Sequence, residues 1–411
     1  MSQGSHGPTH AASASCPACP PGFLANGVKA GIKPSGRPDL ALLRCPDGAV
    51  AAAMLTRNVV RAAPLTVTAG HLANSSGDIR AVLINAGCAN AATGEEGLRR
   101  ARRSAAALAA AIGCRPEQVL INSTGVIGVQ LPIERLEAAV SGLVEGATGD
   151  GLVRAAEAIM TTDTRMKFAG AHGATSDGAS FGVVGIAKGA GMIHPDLAPA
   201  VPHATMIVTI LTDATVDAAA LQAALEPSVE CTFHRISIDG DTSTNDSVFA
   251  LASRRAGPPA AGALAQALRE VCASLAFQIA RDGEGARKLI SVRVAGAATK
   301  GQALAAARTV AMSLLVRTAV AGGDPNWGRI LAALGRSGAT LDLARLRVSA
   351  DGVAIFDRGG PTSPSSEVRA GIFKGPDVVI EIDLGLGAGA DEFHTCDLTE
   401  EYVRVNAEYT T

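Results

Sequence analysis

Aromatic side chains are scarce in this 411-residue chain: one Trp, two Tyr and nine Phe make up 3% of it. Charge is scarce as well, at 18% of residues with a formal net charge of −2. The chain has neither a basic field for phosphates nor a stacking platform for bases, which argues against nucleic acid as a partner. Long apolar runs are missing too. The longest candidate, Ala105 to Ile112, falls far short of the roughly 18 residues a membrane helix needs. Residues Met1 to Pro21 combine no positively charged start with an apolar core, so neither a secretory nor a transit peptide is expected and the stretch reads as a disordered leader. The eight cysteines are scattered, which suits a reducing cytoplasm better than a disulfide scaffold. Cys16-Pro-Ala-Cys19 has the spacing of half a zinc ribbon, but no second CxxC completes four ligands, so no metal is expected.

What is abundant is small and apolar. Hydrophobic residues reach 47% and glycines number 46, enough to build a sizeable core and to exclude a disordered chain. Short β-branched runs alternate with Ala-rich amphipathic stretches, the texture of an α/β protein. Strands are expected over Ala81 to Asn85, Gln118 to Asn122, Phe181 to Ala187, Met206 to Leu211, Leu289 to Val294, Arg345 to Ser349 and Val378 to Leu384. Helices are expected over Leu98 to Ile112, Pro132 to Val144, Asp217 to Leu225, Pro258 to Ala280, Gln302 to Val320 and Trp327 to Leu334. Pro195 to His203 reads as a Pro-punctuated loop. The cluster Arg99, Arg100, Arg102 and Arg103 follows Glu95 and Glu96 and reads as a solvated helix face.

The usual catalytic signatures are absent: there is no GxSxG, no HExxH, no P-loop and no GxGxxG opening a helix. Polar clusters on glycine-rich turns at strand ends remain: Asn122-Ser123-Thr124-Gly125, Thr161-Thr162-Asp163-Thr164, Lys188-Gly189-Ala190-Gly191, Ala204-Thr205, Asp239 to Asp246, Asp282-Gly283-Glu284-Gly285, Asp324 to Arg329 and Asn406 to Thr411. Any one of them alone is an ordinary turn or cap. In this order, and together with Ala30-Gly31-Ile32-Lys33 and Asn85-Ala86-Gly87, they resemble the glutamate N-acetyltransferases, also called ornithine acetyltransferases, of arginine biosynthesis. The resemblance runs from Gly22 to Thr411.

That resemblance implies a mixed α/β fold with an α-β-β-α sandwich-like core and a smaller C-terminal α/β region. It also implies self-cleavage at Ala204–Thr205, which would give an N-terminal chain of residues 22–204 behind the leader of residues 1–21, and a C-terminal chain of residues 205–411. Two copies of each would form an α2β2 heterotetramer. The chemistry follows from what a threonine can do. Inside a chain its hydroxyl can attack the preceding carbonyl carbon; once freed, its α-amine, with an ordinary pKa near 7.7 to 8.0, is a base on the same residue as the nucleophile. In the resembling enzymes this Thr takes acetyl from N2-acetylornithine and passes it to glutamate in a ping-pong cycle. Some relatives also acetylate glutamate from acetyl-CoA. The ester keeps the acyl group reactive, so no cofactor is required.

By the same resemblance Thr124 and Gly125 stabilise the oxyanion, and Thr161, Lys188, Glu284, Asn406 and Thr411 line the substrate pocket with Thr205. A Lys ammonium suits an α-carboxylate, and Glu284 suits the cationic ornithine side chain. The sequence departs from the family at Cys88 and His234, where Asn is usual, and at Ala198 to His203, about six extra residues before the scissile bond. Three other readings stay open: a secondary-metabolite paralogue with another acyl donor or acceptor, an uncleaved, inactive chain serving as a binding or assembly subunit, and an Ntn-type amidohydrolase whose acyl-threonine is resolved by water.

Overall fold

The computed structural model describes residues 15–75, 77–199 and 206–408. The first part of the chain runs β1 (Leu24–Val28), β2 (Leu40–Thr56), α1 (Ala63–Asn74), β3 (Ile79–Cys88), α2 (Gly94–Ile112), β4 (Val119–Val126), α3 (Ile133–Glu145), α4 (Leu152–Ile159), β5 (Lys167–Ala174), β6 (Ser180–Lys188) and β7 (Leu197–Pro199). It continues with β8 (Ile207–Thr212), α5 (Ala218–Glu230), β9 (Ser247–Ala252) and α6 (Ala263–Arg281). The C-terminal unit holds β10 (Leu289–Ala297), α7 (Lys300–Ala311), α8 (Leu314–Ala321), α9 (Trp327–Gly335), β11 (Arg347–Ala350), β12 (Val353–Asp357), β13 (Gly360–Pro361), α10 (Ser366–Gly371), β14 (Asp377–Asp383), β15 (Gly389–Cys396) and α11 (Glu400–Glu408).

Strand β2 organises the first part. Its first half pairs with β1 and β3 and its second half with β9 and β7, and the register shifts between Arg44 and Ala49. Pro46 and Gly48 lie in that gap. Proline cannot donate to a ladder, and Gly48 has φ +89°, so the strand bends and carries the chain from one half of the sheet to the other. The full order is β4-β3-β2-β9-β8-β6-β5, with β1 and β7 added on β2.

Side-chain alternation then sets the layers. Ala41, Leu43, Val82 and Ile84 of one half meet Ile186, Ile207, Leu211, Phe249 and Leu251 of the other in a central core. Leu40, Leu42, Ala81 and Leu83 face outward to α2 and α3. Val183, Val208, Ile210, Val248 and Ala250 face outward to α5 and α6. The result is the expected α-β-β-α sandwich, with α4 filling the central layer through Leu152, Ala155 and Ile159. The C-terminal unit is a six-stranded sheet, β13-β12-β11-β14-β10-β15, with one face covered by α7, α8 and α9 through Ile290, Val292, Ile380 and Phe393.

The structure corrects several boundaries. The expected loop Pro195 to His203 includes β7, which pairs antiparallel with Met54–Thr56; residues 200–203 lie outside the described residues. The helix expected from Pro258 starts at Ala263, because Pro258 and Pro259 run alongside Thr175 and Ser176 in extended pairing. The helix expected over Gln302 to Val320 breaks at Met312 and Ser313, where the Ser313 hydroxyl caps α8 and the axis turns by 57°. Among the described residues no single helix is long and apolar enough to cross a membrane. Of the stretch expected as a leader, residues 1–21, residues 15–21 are among those described and residues 1–14 lie outside them. Cys16 and Cys19 pack against the central core as small apolar groups, the Cys19 N–H donates to Gly149 O at 2.8 Å, and Pro21 O accepts from the Ser253 hydroxyl at 2.6 Å.

Candidate active site

Thr124 and Gly125, expected on a turn, lie instead in the last three residues of strand β4, paired with Ala86 and Gly87 of β3. Gly125 has φ +126°, and a Cβ there would lie 2.7 Å from the Cys88 N atom, so only glycine lets β4 and β3 approach this closely. The strand end is tied down by buried amides. Asn122 Nδ2 donates to Ser247 Oγ at 2.6 Å, the Ser123 hydroxyl donates to Asn85 Oδ1 at 2.6 Å, and Asn245 Nδ2 donates to Ser123 O at 2.8 Å and Ala89 O at 2.7 Å. Thr124 is fully buried against this frame.

Lys188 ends β6 and reaches the same place. Its side chain is buried, and Nζ donates to Thr124 Oγ1 at 3.3 Å and stands 4.0 Å from Asp163 Oδ2. Burial pushes the Lys188 pKa down, and the Asp163 carboxylate works against that shift. Burial also opposes charge on Asp163, but the ammonium groups of Lys167 and Lys188 and hydrogen bonds to the ionised form outweigh it and hold its carboxyl well below the usual range. The Thr124 oxygen thus accepts from Lys188 Nζ, which leaves its own hydrogen to be donated elsewhere.

Glu284 comes from the turn after α6. Its N–H donates to Ala190 O at 2.8 Å, and a Cβ on Gly191 would lie 2.5 Å from its carboxyl carbon, so the Lys188-Gly189-Ala190-Gly191 segment lies directly against the Glu284 side chain. Asn406, on α11, donates from Nδ2 to Glu284 Oε2 at 2.9 Å. Helix α11 can dock there because Gly285, at φ +69°, has no Cβ to collide with the backbone of Tyr402. Thr161 joins the group through Asp163, whose Oδ2 accepts from the Thr161 N–H at 2.9 Å.

Ala204, Thr205 and Thr411 lie outside the described residues. The next residue, Met206, is placed: its N–H donates to the Asp246 carboxylate and its carbonyl accepts from the Ser247 N–H at 2.7 Å. Ile207 then pairs with Lys188 across β8 and β6. Of the residues expected from sequence, the structure brings Thr124, Gly125 and Lys188 into one group and Glu284 and Asn406 into a second, joined by the 188–191 segment.

Sequence reading passed over Lys167, Asp163, Asp282 and Asp246. The three aspartates stand in clusters it had noted but had no assigned role, and nothing marks Lys167 until its burial is known. Cys88 packs its thiol toward Val129 O at 3.3 Å, and His234 Nε2 accepts from the Leu197 N–H at 2.8 Å, so both departures from the family have structural partners. The arginine cluster behaves as a helix surface, with Arg100 bonded to Glu96 and Arg103 to Glu137.

Comparison with known proteins agrees with these motifs. A model of the ArgJ family matches residues 24–411. The arginine biosynthesis bifunctional protein ArgJ of Thermus thermophilus is 47% identical over 394 residues, which cover 95% of this chain and 99% of that protein. Its counterpart in Gloeobacter violaceus is 43% identical over 399 residues, covering 95% and 96%. Among solved structures, ArgJ of Bacillus halodurans is 39% identical, with a TM-score of 0.47 over 49% of this chain and 98% of that chain. Ornithine acetyltransferase of Mycobacterium tuberculosis, complexed with ornithine, is 44% identical, with a TM-score of 0.40 over 44% and 94%. Matched from residue 24 to its last residue, and more than 40% identical to relatives along nearly their whole length, the chain belongs to the ArgJ family.

Proposed function

We propose that the chain is a self-processing acetyltransferase of arginine biosynthesis that moves acetyl from N2-acetylornithine to glutamate, and that it also acetylates glutamate from acetyl-CoA. In the first event the Thr205 hydroxyl attacks the Ala204 carbonyl carbon. The C–N bond breaks, the nitrogen takes up the proton, and water hydrolyses the resulting ester. Thr205 is left with a free amine beside its hydroxyl, and the chain becomes two fragments, residues 1–204 and 205–411. In transfer, that amine accepts the hydroxyl proton as the oxygen attacks the acetyl carbon, ornithine leaves, and glutamate's amine later takes the acetyl group from the threonine ester.

The observation that carries this reading is that the end of β4 with Thr124 and Gly125, and buried Lys188, lie beside the strand that begins two residues after Thr205. The Thr124 hydroxyl and the Gly125 N–H are the donors for the tetrahedral oxyanion. Lys188 takes the α-carboxylate common to both amino acids, Glu284 takes the ornithine ammonium, and Thr161, Asn406 and Thr411 complete the pocket. The two fragments stay together, assemble as α2β2 and work in the cytoplasm.

Intact-mass measurement tests the scheme. Wild type is expected as two fragments, the C-terminal one gaining a single acetyl after mixing with acetylornithine. Thr205→Ala is expected as one uncut, inactive chain, while Thr205→Ser keeps part of both reactions. An active, uncut wild type would defeat the mechanism, and acetate release without an amine acceptor would show hydrolysis in place of transfer.

A further inference from the structure

Three charged side chains meet out of reach of water beneath the segments that carry Thr161, Lys188 and Glu284. Lys167, at the first residue of β5, is 1% exposed, and its Nζ lies 2.6 Å from Asp163 Oδ1 and 2.6 Å from Asp282 Oδ2. Asp163 also accepts from the N–H groups of Thr161 at 2.9 Å and Gly189 at 2.7 Å, so it grips both the 160–164 loop and the residue after Lys188. Asp282 accepts from the Thr164 N–H at 3.1 Å and from the Thr164 hydroxyl, and it stands two residues before Glu284 on the same turn. The acetyl transfer described above gives Lys167 nothing to do. Yet burying an ammonium between two carboxylates is costly unless geometry and partners are close to ideal, and both contacts here are as short as charge-assisted bonds become.

We propose that Lys167 is a positioning residue that fixes the spacing between Lys188 and Glu284, and so selects acyl donors by the length between their α-carboxylate and their side-chain ammonium. The inference rests on Lys188 and Glu284 binding those two groups. Lys167 bonds to the carboxylates on both sides of the span and supplies its charged link, beside the uncharged bonds from Thr164 to Asp282. On one side Asp163 sets Gly189 and faces Lys188; on the other Asp282 sets the turn of Glu284. With either ion pair lost, the two halves keep only contacts from uncharged donors, the Thr164 N–H and hydroxyl to Asp282 and the Glu284 N–H to Ala190 O, and the span can relax toward a ligand one methylene longer or shorter.

The test uses the full chain with two substitutions, Lys167→Met and Asp282→Asn. Folding is followed by circular dichroism and self-cleavage on a gel. Values of kcat/KM are then measured with glutamate as acceptor and with three donors: N2-acetylornithine, its homologue one methylene longer, N2-acetyllysine, and its homologue one methylene shorter. Wild type is expected to prefer acetylornithine over each homologue by at least about tenfold, the discrimination a single methylene can supply. In whichever variant folds, that preference is expected to collapse toward unity, through a larger KM for acetylornithine and a smaller change for the homologues. An unchanged preference at lower overall activity would overturn the proposal, because a merely structural residue would slow all three donors alike. Loss of folding in both variants would overturn it too, by making the bridge a requirement of the fold. Wild type that turns over none of the donors would instead bring down the functional reading, and this inference with it.

Discussion

Thr124 is the residue on which the proposed chemistry makes its sharpest quantitative demand. Its oxygen already accepts from Lys188 at 3.3 Å, so its hydrogen is the group left for the developing oxyanion. Thr124→Val keeps the shape and removes that donor. Losing one oxyanion donor typically costs about 100- to 1000-fold in kcat, and steady-state kinetics should show a loss of that order with little change in KM. A KM effect of similar size with kcat unchanged would assign Thr124 to substrate binding. His194 offers a separate test at the same scale. Burial first and the Arg308 guanidinium next lower its pKa from 6.5 to about 4, so the folded chain takes up that proton less readily than the unfolded one. Stability therefore falls as pH drops from about 6.5 toward 4. His194→Gln should flatten this part of the curve of melting temperature against pH, and an unchanged slope would show that other groups carry it. Thr124, Gly125, Lys188 and Glu284 could be singled out in the sequence as candidates because each stands in a motif of the ordered set that carries the family resemblance. Lys167 was not: a single lysine opening a strand reads as a solvent-facing residue, and only packing from α6 and the 160–164 loop buries it.

At the scale of the element, the bend in β2 decides where the site can form. Without it the two half-sheets would not face each other, and the β4 end and the β8 start would not share one frame through Asn122, Asn245 and Ser247. Gly48 permits the bend: it has φ +89°, and a Cβ there would collide with the Asp78 carboxylate. Gly48→Ala is expected to lower stability by about 1–3 kcal/mol, the usual cost of forcing a side chain into such backbone, while activity per folded molecule stays near wild type. Urea denaturation with activity corrected for the folded fraction measures both, and stability within about 0.5 kcal/mol of wild type would mean the bend does not need glycine. Helices were read well where a cap or a period marked them, as with Asp217, whose carboxylate accepts from the Ala220 N–H at 2.7 Å to start α5. They were misread where tertiary pairing overrode periodicity. Pro258 and Pro259 lie in an extended segment beside Thr175, and Ser313 divides one apolar pattern into two helices.

At the scale of the molecule, the candidate site draws on both half-sheets of the sandwich and on helix α11. Helix α11 has no buried residue of its own, so its place rests on Gly285, on Asn406 bonding to Glu284, and on the Thr399 hydroxyl donating to Gly285 O at 2.7 Å. A chain ending at Thr399 is expected to cleave itself into two fragments and to lose most acetyl transfer, because the proposed oxyanion donors Thr124 and Gly125 lie on β4 while Asn406 lies on α11. A gel and a transfer assay on the same preparation decide it, and full transfer by the truncated chain would remove Asn406 from the pocket.

The amino-acid sequence by itself determined the α/β class, most of the helices, and the reactive motifs with their order, because these depend on local periodicity, on capping and on the residue types that acyl chemistry requires. Tertiary structure alone decided that β2 bends to make two facing half-sheets, that Cys16 and Cys19 belong to the body, and that Lys167 lies between Asp163 and Asp282. Those features follow from contacts between residues far apart along the chain, where burial reverses the ordinary preference of a charged or terminal residue for water.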